Sequence, residues 1–301
     1  MDGDTRGSET LAEKIARRTE RFTRLEKVLA NYLSVRPDSL LIGTGASLAA
    51  QAGVSPMTVS RFIQKLGFKN LAEAKRALRR EAHGPTVSRF SRRYEMFRET
   101  AGKTFDGQAN YELQCTAIKK AYTLRTEPMW KRVIDMVAHG RHLFTAGFQT
   151  TSHLADGLAM HLEYVRPNVQ HLDGVNGTYA NVLGANVPDA GIPGGDAVKN
   201  TLIIIDIFRY GRNGPELARV ARDAGADVIV VCDEFCDWAA GITPYVLPVA
   251  TNIGLFFSST VAIQVLLNLL IHDVVDTLGE AAARRMESLS EAQNRFGQYL
   301  K

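Results

Sequence analysis

Residues 50–68 read AQAGVSPMTVSRFIQKLGF, and this stretch decides the fold of the first part of the chain. Ser55 is of a type that caps helices, and Pro56 is favoured at the first helical position, so a helix is predicted to begin there. Gly67 is typical of a helix C-terminal stop. Between them, apolar side chains recur with helical spacing and predict one buried stripe. They are Val59, Phe62, Ile63 and Leu66.

Two helix starts precede this stretch. Thr23 and Glu26 have the spacing of a capping box, and the helix they begin is expected to stop before Pro37. Thr44 marks a second start, and Gly53 turns the chain after one short helix. A short helix, a glycine-containing turn and a second helix form the layout of a helix-turn-helix, whose second helix enters the DNA major groove.

The outer face of the second helix is polar and basic. Arg61 can reach guanine edges or phosphate, Gln64 can face adenine, and hydroxyl groups suit phosphate oxygens. The predicted DNA-binding residues are Ser55, Met57, Thr58, Ser60, Arg61, Gln64 and Lys65. The alternative is a plain helical bundle whose charged residues form a solvated face.

Charge is unevenly spread along the 301 residues. Residues 1–84 contain 15 Lys and Arg and 9 Asp and Glu, a net charge of +6. The remaining residues contain 21 Lys and Arg and 23 Asp and Glu, a net charge of −2. A further helix predicted from Asn70 carries four cations, Lys75, Arg76, Arg79 and Arg80. A small basic domain joined to a larger, slightly acidic one favours double-stranded DNA as the partner of the first.

Other protein classes are disfavoured. Cys115, Cys232 and Cys236 form neither a disulfide framework nor a metal-ligand pattern, so no metal and no cofactor are expected. The N-terminus has no apolar core and is not expected to be a signal peptide, which predicts a cytoplasmic protein. Residues 254–271 lack formal charge but contain five polar side chains. These residues are predicted to form a helix that is buried against a sheet or a subunit interface, and a membrane-spanning helix is disfavoured.

From about residue 142, strand and helix patterns alternate. The strands are predicted at 142–147, 168–173, 201–208, 227–233 and 245–250. Alternation of this kind predicts a doubly wound, mostly parallel five-stranded sheet covered by helices on both sides. The predicted organisation is therefore an all-α helix-turn-helix domain (1–84), a linker (85–107) and an α/β domain (108–301).

Two strand-to-helix turns at the carboxyl ends of the sheet are predicted to bind a ligand. The first follows residue 146 and the second follows residue 207. The predicted ligand-binding residues are Gly147, Gln149, Thr150, Thr151, Arg209, Tyr210, Gly211, Arg212 and Asn213.

Residues 20–82, and residues 50–68 most closely, resemble the N-terminal domain of RpiR-type bacterial transcriptional regulators. That family implies operator binding as a dimer and a following sugar-isomerase-type (SIS), flavodoxin-like domain that senses a small molecule, commonly a phosphosugar. Residues 108–280 are similar to the SIS pattern, in which the second turn usually reads Ser-x-Ser-Gly-x-Thr. Here Phe208 and Tyr210 replace both serines, and Asn213 replaces the threonine.

The altered second turn leaves three alternatives. Arg209 or Arg212 acts as an anion clamp, with the Tyr210 hydroxyl as a further donor. Alternatively, the aromatic residues narrow the pocket for a smaller or unphosphorylated ligand. In the third alternative they fill it, and Arg209 pairs with Asp206 or another acid.

The sequence predicts a bacterial transcriptional regulator without catalytic activity whose SIS-like domain senses a small metabolite, such as a sugar phosphate or another anion, and alters operator affinity. No acid–base pair stands out, and His153 is the least implausible general base. The alternatives are a sugar-phosphate isomerase and a DNA-binding protein with a vestigial pocket. Operator symmetry predicts a homodimer, or a homotetramer, formed through the helix after Gly254 and the terminal helix.

Overall fold

The computed structural model describes residues 11–35, 40, 44–83, 94, 98, 106–184, 198–207 and 210–297. These residues belong to two compact units, divided between Lys103 and Thr104. The predicted linker lies almost wholly outside the described residues, and the exact domain boundaries stay a prediction.

The N-terminal unit is helical in its described part. Its helices are α1 (Leu11–Arg18), α2 (Arg24–Val35), α3 (Gly45–Ala52), α4 (Pro56–Lys65) and α5 (Leu71–His83). The sequence did not predict α1, whose Leu11 and Ile15 are buried at i, i+4 spacing.

The predicted caps of this unit are confirmed. The main-chain N–H of Thr23 donates to Glu26 Oε2 at 2.7 Å, and that of Glu26 donates to Thr23 Oγ1 at 3.4 Å, which is a reciprocal capping box. Thr44 caps α3, and Gly53 ends it with φ +66°. The apolar stripe of α4 is buried as predicted, and Phe62 packs against Phe22 with ring centroids 4.9 Å apart.

The C-terminal unit has a parallel sheet between helical layers, as predicted. Its strands are β1 (Leu143–Gly147), β2 (Val169–His171), β3 (Thr201–Asp206), β4 (Asp227–Asp233) and β5 (Tyr245–Val249). Their order is β2-β1-β3-β4-β5, and every pair is parallel. This is the flavodoxin-like order, in which the chain reverses its winding beside β1 and β3.

Helices cover both faces of the sheet. They are α6 (Gly107–Leu124), α7 (Pro128–His139), α8 (Ser152–Val165), α9 (Asn181–Gly184), α10 (Asn213–Asp223), α11 (Val261–Leu278) and α12 (Glu280–Phe296). The side chains of β3 point alternately into two hydrophobic cores, one on each face of the sheet. Ile203 and Ile205 join the core beneath α8 and α11, whereas Leu202 and Ile204 join the core beneath α10.

The prediction that a helix starts at Gly254 is wrong, because α11 begins only at Val261. Gly254 has φ +79°, and Ser259 bonds back to the chain, its main-chain N–H donating to Thr251 O at 2.9 Å. Such local bonds compete with helix formation. By length and composition α11 is apolar enough to cross a membrane, but its buried residues, Leu266 and Leu270 among them, form part of the core.

Candidate functional site

Helix α4 presents its polar face to solvent because its opposite face is the core of the N-terminal unit. Met57 is 62% exposed, and Ser60, Arg61 and Gln64 are exposed beside it. Within the part of this unit that the structure describes, no hydrogen bond or ion pair restrains Arg61 or Gln64. Their side chains are therefore available to base edges or phosphates.

Two of the predicted contact residues fix the start of α4. The main-chain N–H of Thr58 donates to Ser55 Oγ at 3.1 Å, and the two side-chain oxygens lie 2.9 Å apart. Ser55 therefore caps the helix while remaining exposed, and Thr58 is half-buried. The hydroxyl groups predicted for DNA contact also determine where the helix begins.

Lys65 has a structural partner that the sequence pattern did not suggest. Its Nζ lies 2.7 Å from Glu26 Oε2 and 3.2 Å from the Arg21 carbonyl oxygen. The Glu26 side chain is 3% exposed. Burial raises the pKa of Glu26, but hydrogen bonds from Lys65 and Thr23 outweigh it and hold the pKa below its ordinary value.

The faces of α2 and α4 border an open groove of about 470 Å³. It is lined by Thr23, Leu25, Glu26, Thr58, Arg61, Gln64 and Lys65. The groove thus brings together four of the seven predicted DNA-binding residues, Thr58, Arg61, Gln64 and Lys65, whereas Ser55, Met57 and Ser60 do not line it. The contact of all seven with DNA stays a prediction.

In the C-terminal unit, the turn after β1 is held tightly against α8. A Cβ on Gly147 would lie 2.5 Å from the Thr151 carbonyl oxygen, so only glycine fits. The Thr151 hydroxyl donates toward the carbonyl oxygens of Ile205, at 2.8 Å, and Phe148, at 2.9 Å. The Thr151 residue is 1% exposed. Gly147 and Thr151 therefore hold the turn in place.

Gln149 and Thr150 are the exposed residues of the same turn. Gln149 has φ +52°, a left-handed conformation that is uncommon outside glycine. It turns the chain at the carboxyl edge of the sheet, where a ligand can approach. Of the predicted residues of this turn, these two present their side chains to solvent.

The turn after β3 is tied to β4. Tyr210 donates its hydroxyl to Asp233 Oδ1, and the main-chain N–H of Phe235 donates to the same oxygen at 3.0 Å. Burial, followed by the charge of Asp233, raises the pKa of Tyr210, so this hydroxyl stays protonated. Arg209, the predicted anion clamp, lies outside the described residues, as does Phe208.

The other predicted residues of this turn are more open. Gly211 is half-buried, and a Cβ added to it would lie 4.0 Å from its nearest neighbour, the main-chain nitrogen of Asn213. Arg212 is exposed. Asn213 begins α10. Burial raises the pKa of the Tyr179 hydroxyl, and the nearby Asn213 side chain offsets part of that rise. Tyr179 packs on Phe148, with ring centroids 6.2 Å apart.

Sequence reasoning named Asp206 only as a partner for Arg209 and missed the other acids at the carboxyl edge of β3 and β4. Asp206 and Asp233 are the last residues of these adjacent strands, and Glu234 follows. Burial, with a smaller contribution from the charge of Asp233, raises the pKa of Asp206 to about 7. Burial also raises the pKa of Glu234 to about 7, and its Oε2 accepts from the Thr251 N–H at 3.0 Å. The sequence did contain a signal for this cluster, because an aspartate stands at the end of each of two adjacent parallel strands.

These acids do not form a metal site, since no group of three His, Cys, Asp or Glu side chains in the described residues is arranged to hold a metal ion. His153, the general base considered from sequence, lies exposed in the first turn of α8. The Tyr210–Asp233 pair and the buried Asp206 instead give the edge an aromatic and acidic character.

Comparison with known proteins finds a family match within the N-terminal unit. Residues 9–84 match the family model described as a helix-turn-helix domain of the rpiR family. The chain is also similar to the uncharacterized HTH-type transcriptional regulator YfhH of Escherichia coli (strain K12), at 24% identity over 176 residues. That match covers 58% of this chain and 62% of the relative, so it spans somewhat under two thirds of that protein's length.

Solved structures are similar over more of the chain. The Vibrio vulnificus NanR protein complexed with ManNAc-6P is similar over 95% of this chain and 99% of its own, at 13% identity and a TM-score of 0.53, which shows a shared fold. The sugar isomerase domain of the RpiR transcription factor from Sphaerobacter thermophilus is similar over 67% of this chain and 96% of its own. That second match has 17% identity and a TM-score of 0.46.

Proposed function

We propose that this chain, whose residues 9–84 form a helix-turn-helix domain of the rpiR family, is a bacterial DNA-binding transcriptional regulator. The observation that carries this proposal is the face of α4. Arg61 and Gln64 are exposed, and no described residue restrains their side chains, on a helix whose opposite side is fully buried. This is the form a recognition helix needs, because its outer side chains must reach base edges while its inner side chains fix its orientation.

Charge supports the same proposal. The residues up to Gly84 carry the net positive charge of the chain, and Arg76 on α5 is exposed as well. Cations outside the recognition helix contribute sequence-independent attraction to phosphates, which scales with the number of neutralised phosphates.

We propose further that the C-terminal unit is a SIS-like sensor of a small metabolite. The turns after β1 and β3 lie at the carboxyl edge of the sheet, next to the point where its winding reverses, which is where ligands of such sheets bind. The complex of NanR with ManNAc-6P supports a sugar derivative as the class of effector. Binding would shift operator affinity by the usual coupling energy of about 1–3 kcal/mol.

The subunit contact is proposed to involve α11 and α12. Val261 and Met286 are exposed apolar residues on these helices, and Phe296 is 81% exposed. A symmetric pair of subunits would present two copies of α4 to the half-sites of a palindromic operator. In this proposal the protein acts in the cytoplasm and has no catalytic activity.

The test is binding of the full-length protein to DNA from its own upstream region, measured by fluorescence anisotropy and footprinting. A regulator would protect a defined site, and its affinity would fall by several powers of ten between about 50 and 200 mM salt. Absence of a protected site in that region would contradict the proposal.

Isomerase activity is the second candidate, favoured by one observation. Asp206 and Glu234 have pKa values of about 7, which suits a general base. Aldose–ketose exchange measured on a panel of sugar phosphates decides between the two functions. Turnover that is lost in Glu234→Gln would establish the enzyme, whereas an inactive protein with a protected operator establishes the regulator.

A further inference from the structure

The groove between α2 and α4 has an apolar wall that the predicted base contacts leave unused. Leu25 lines the groove from α2, and this residue is 50% exposed. Val28, one turn further along α2, is 44% exposed. Of the large apolar side chains described on α1 to α5, three are exposed, and they are these two and Met57. Exposed apolar side chains beside a polar binding face point to a partner that is itself partly apolar.

The opposite wall of the groove, on α4, is cationic. Arg61 and Lys65 line it together with Gln64. The acidic residue of the lining is Glu26, whose Oε2 accepts from Lys65 Nζ and from the Thr23 N–H, both at 2.7 Å. The Glu26 side chain is 3% exposed, whereas that of Lys65 is 39% exposed. A group that enters the groove therefore meets positive charge on one side and carbon atoms on the other.

A sugar-phosphate strand of DNA has the character of both walls, because its phosphates are anionic and its deoxyribose rings present carbon atoms. Contacts to phosphate and sugar account for half or more of the hydrogen bonds in protein–DNA interfaces. An acidic peptide with an apolar side chain has a similar character. Such a peptide would cover Arg61 and Gln64, which the proposed function assigns to DNA, so the groove favours the nucleic acid strand.

The position of α2 beside α4 suits contact with the strand that borders the major groove. The major groove of B-DNA is about 12 Å wide and admits one helix. A second helix packs with its axis about 8–10 Å from the first, so it lies over the rim where the backbone runs. Phe22, just before α2, packs against Phe62 of α4 with ring centroids 4.9 Å apart. This contact and the Lys65–Glu26 pair hold the start of α2 against α4.

We propose that this groove seats one sugar-phosphate strand of the operator, with Leu25 against deoxyribose carbons and Lys65 beside a phosphate. Helix α2 is then a second DNA-contacting element, next to the residues of α4 that the sequence predicted. This inference rests on the proposed function, since it names the part of the duplex that the site receives. Phosphates and sugars are the same in every sequence, so this contact adds affinity and position but no base discrimination.

The experiment compares two variants of the full-length protein that add the same charge to α2. Leu25→Glu places a carboxylate in the groove, whereas Asn31→Glu places one at an exposed position about 9 Å further along the helix. Fluorescence anisotropy gives their affinities for the operator, a mutated operator and an unrelated duplex. Leu25→Glu should weaken all three by the same factor, roughly tenfold or more, because its carboxylate faces phosphate. Asn31→Glu should change each by less than about threefold, because salt screens its charge.

A second variant, Leu25→Ala, tests the contact without a change of charge. Hydroxyl-radical footprinting reports the access of solvent to each deoxyribose. The unmodified protein should protect sugars on the strand that borders the bases read by α4, and Leu25→Ala should lose that protection. Its affinity for any duplex should fall by roughly 2- to 5-fold, since less apolar area is buried in the complex. Because Leu25 is exposed, both variants should melt at the temperature of the unmodified protein.

Four results would overturn the inference. They are equal operator affinity of Leu25→Glu and Asn31→Glu, an effect of Leu25→Glu confined to one sequence, sugars that the unmodified protein leaves open to radicals, and a change of oligomeric state in Leu25→Glu measured by sedimentation. The second makes Leu25 a base contact, the third leaves the groove to a peptide, and the fourth makes it a contact between copies of the chain. Protein that protects an operator but gives any of these contradicts only the inference, whereas unmodified protein that protects no operator contradicts the proposed function.

Discussion

Lys65 Nζ lies 2.7 Å from Glu26 Oε2, and this ion pair joins the last turn of α4 to the first turn of α2. Because the Glu26 side chain is 3% exposed, the pair holds α4 at a fixed place on the unit. Lys65 was predicted from sequence to contact DNA. The structure shows that it also has a structural partner, so its replacement affects folding as well as binding.

Lys65→Ala should therefore destabilise the N-terminal unit by about 1–3 kcal/mol, since it leaves a buried carboxylate without its cation. Urea unfolding followed by circular dichroism measures this loss. Gln64→Ala, one residue away and exposed, is the matched control and should change stability little. Equal stability of both variants would show that the ion pair does not hold the helix.

The same pair predicts loss of stability in acid. The pKa of Glu26 is lowered in the folded protein, so its contribution is complete above the ordinary value of 4.5 and is lost as the pH falls through the folded value. Glu26→Gln should flatten the acid limb of the unfolding curve. Acid unfolding that is the same in both proteins would contradict this assignment.

Arg61→Ala should reduce discrimination between the operator and a mutated site by about 1–3 kcal/mol. Its exposed position predicts no change in thermal stability, which separates this effect from that of Lys65. The measurement is competitive anisotropy with both DNA sequences. Arg132→Ala, at an exposed ion pair in the C-terminal unit, serves as the control.

Arg76→Ala tests the sequence-independent part of binding. This exposed cation of α5 should contribute to phosphate attraction, so its loss should weaken binding to any sequence and lower the salt slope by about 1. Affinities measured across a salt series give the slope. An unchanged slope would place α5 away from the DNA.

Asp206→Asn should make stability less dependent on pH. The pKa of Asp206 rises from 3.8 to about 7 on folding, so the folded state loses stability as the pH increases through this window. Asparagine does not titrate, and the variant should gain up to roughly 4 kcal/mol over the unmodified protein between about pH 4 and pH 8. Glu234 titrates in both proteins and cancels from the comparison. Parallel stability curves would contradict the assignment.

Gly147→Ala and Gly211→Ala form a matched pair at the two turns. The first places a methyl group 2.5 Å from the Thr151 carbonyl oxygen and should destabilise the C-terminal unit by about 1–3 kcal/mol. The second meets its nearest atom at 4.0 Å and should leave stability unchanged. Differential scanning calorimetry compares the two, and a stable Gly147→Ala protein would show that the turn is not tightly packed.

Much of the architecture was predictable from sequence, because local hydrogen bonds and periodicity determine it. The Thr23–Glu26 capping box, the cap formed by Ser55 and the alternation of β3 between two cores depend on residues a few positions apart. The start of α11 was not predictable from hydropathy, because polar bonds made by Ser259 delay the helix within an apolar segment.

The sequence by itself determined the basic helical unit, the face of α4 that carries Arg61, and the parallel sheet with two turns at its carboxyl edge. Only the tertiary structure decided that Lys65 meets Glu26, that the Thr151 hydroxyl is occupied by main-chain oxygens, and that Asp206 lies buried near Trp238. The physical reason is range. Periodicity and caps act within one or two helical turns, whereas the partner of a polar group is chosen by docking of elements that are distant in the chain.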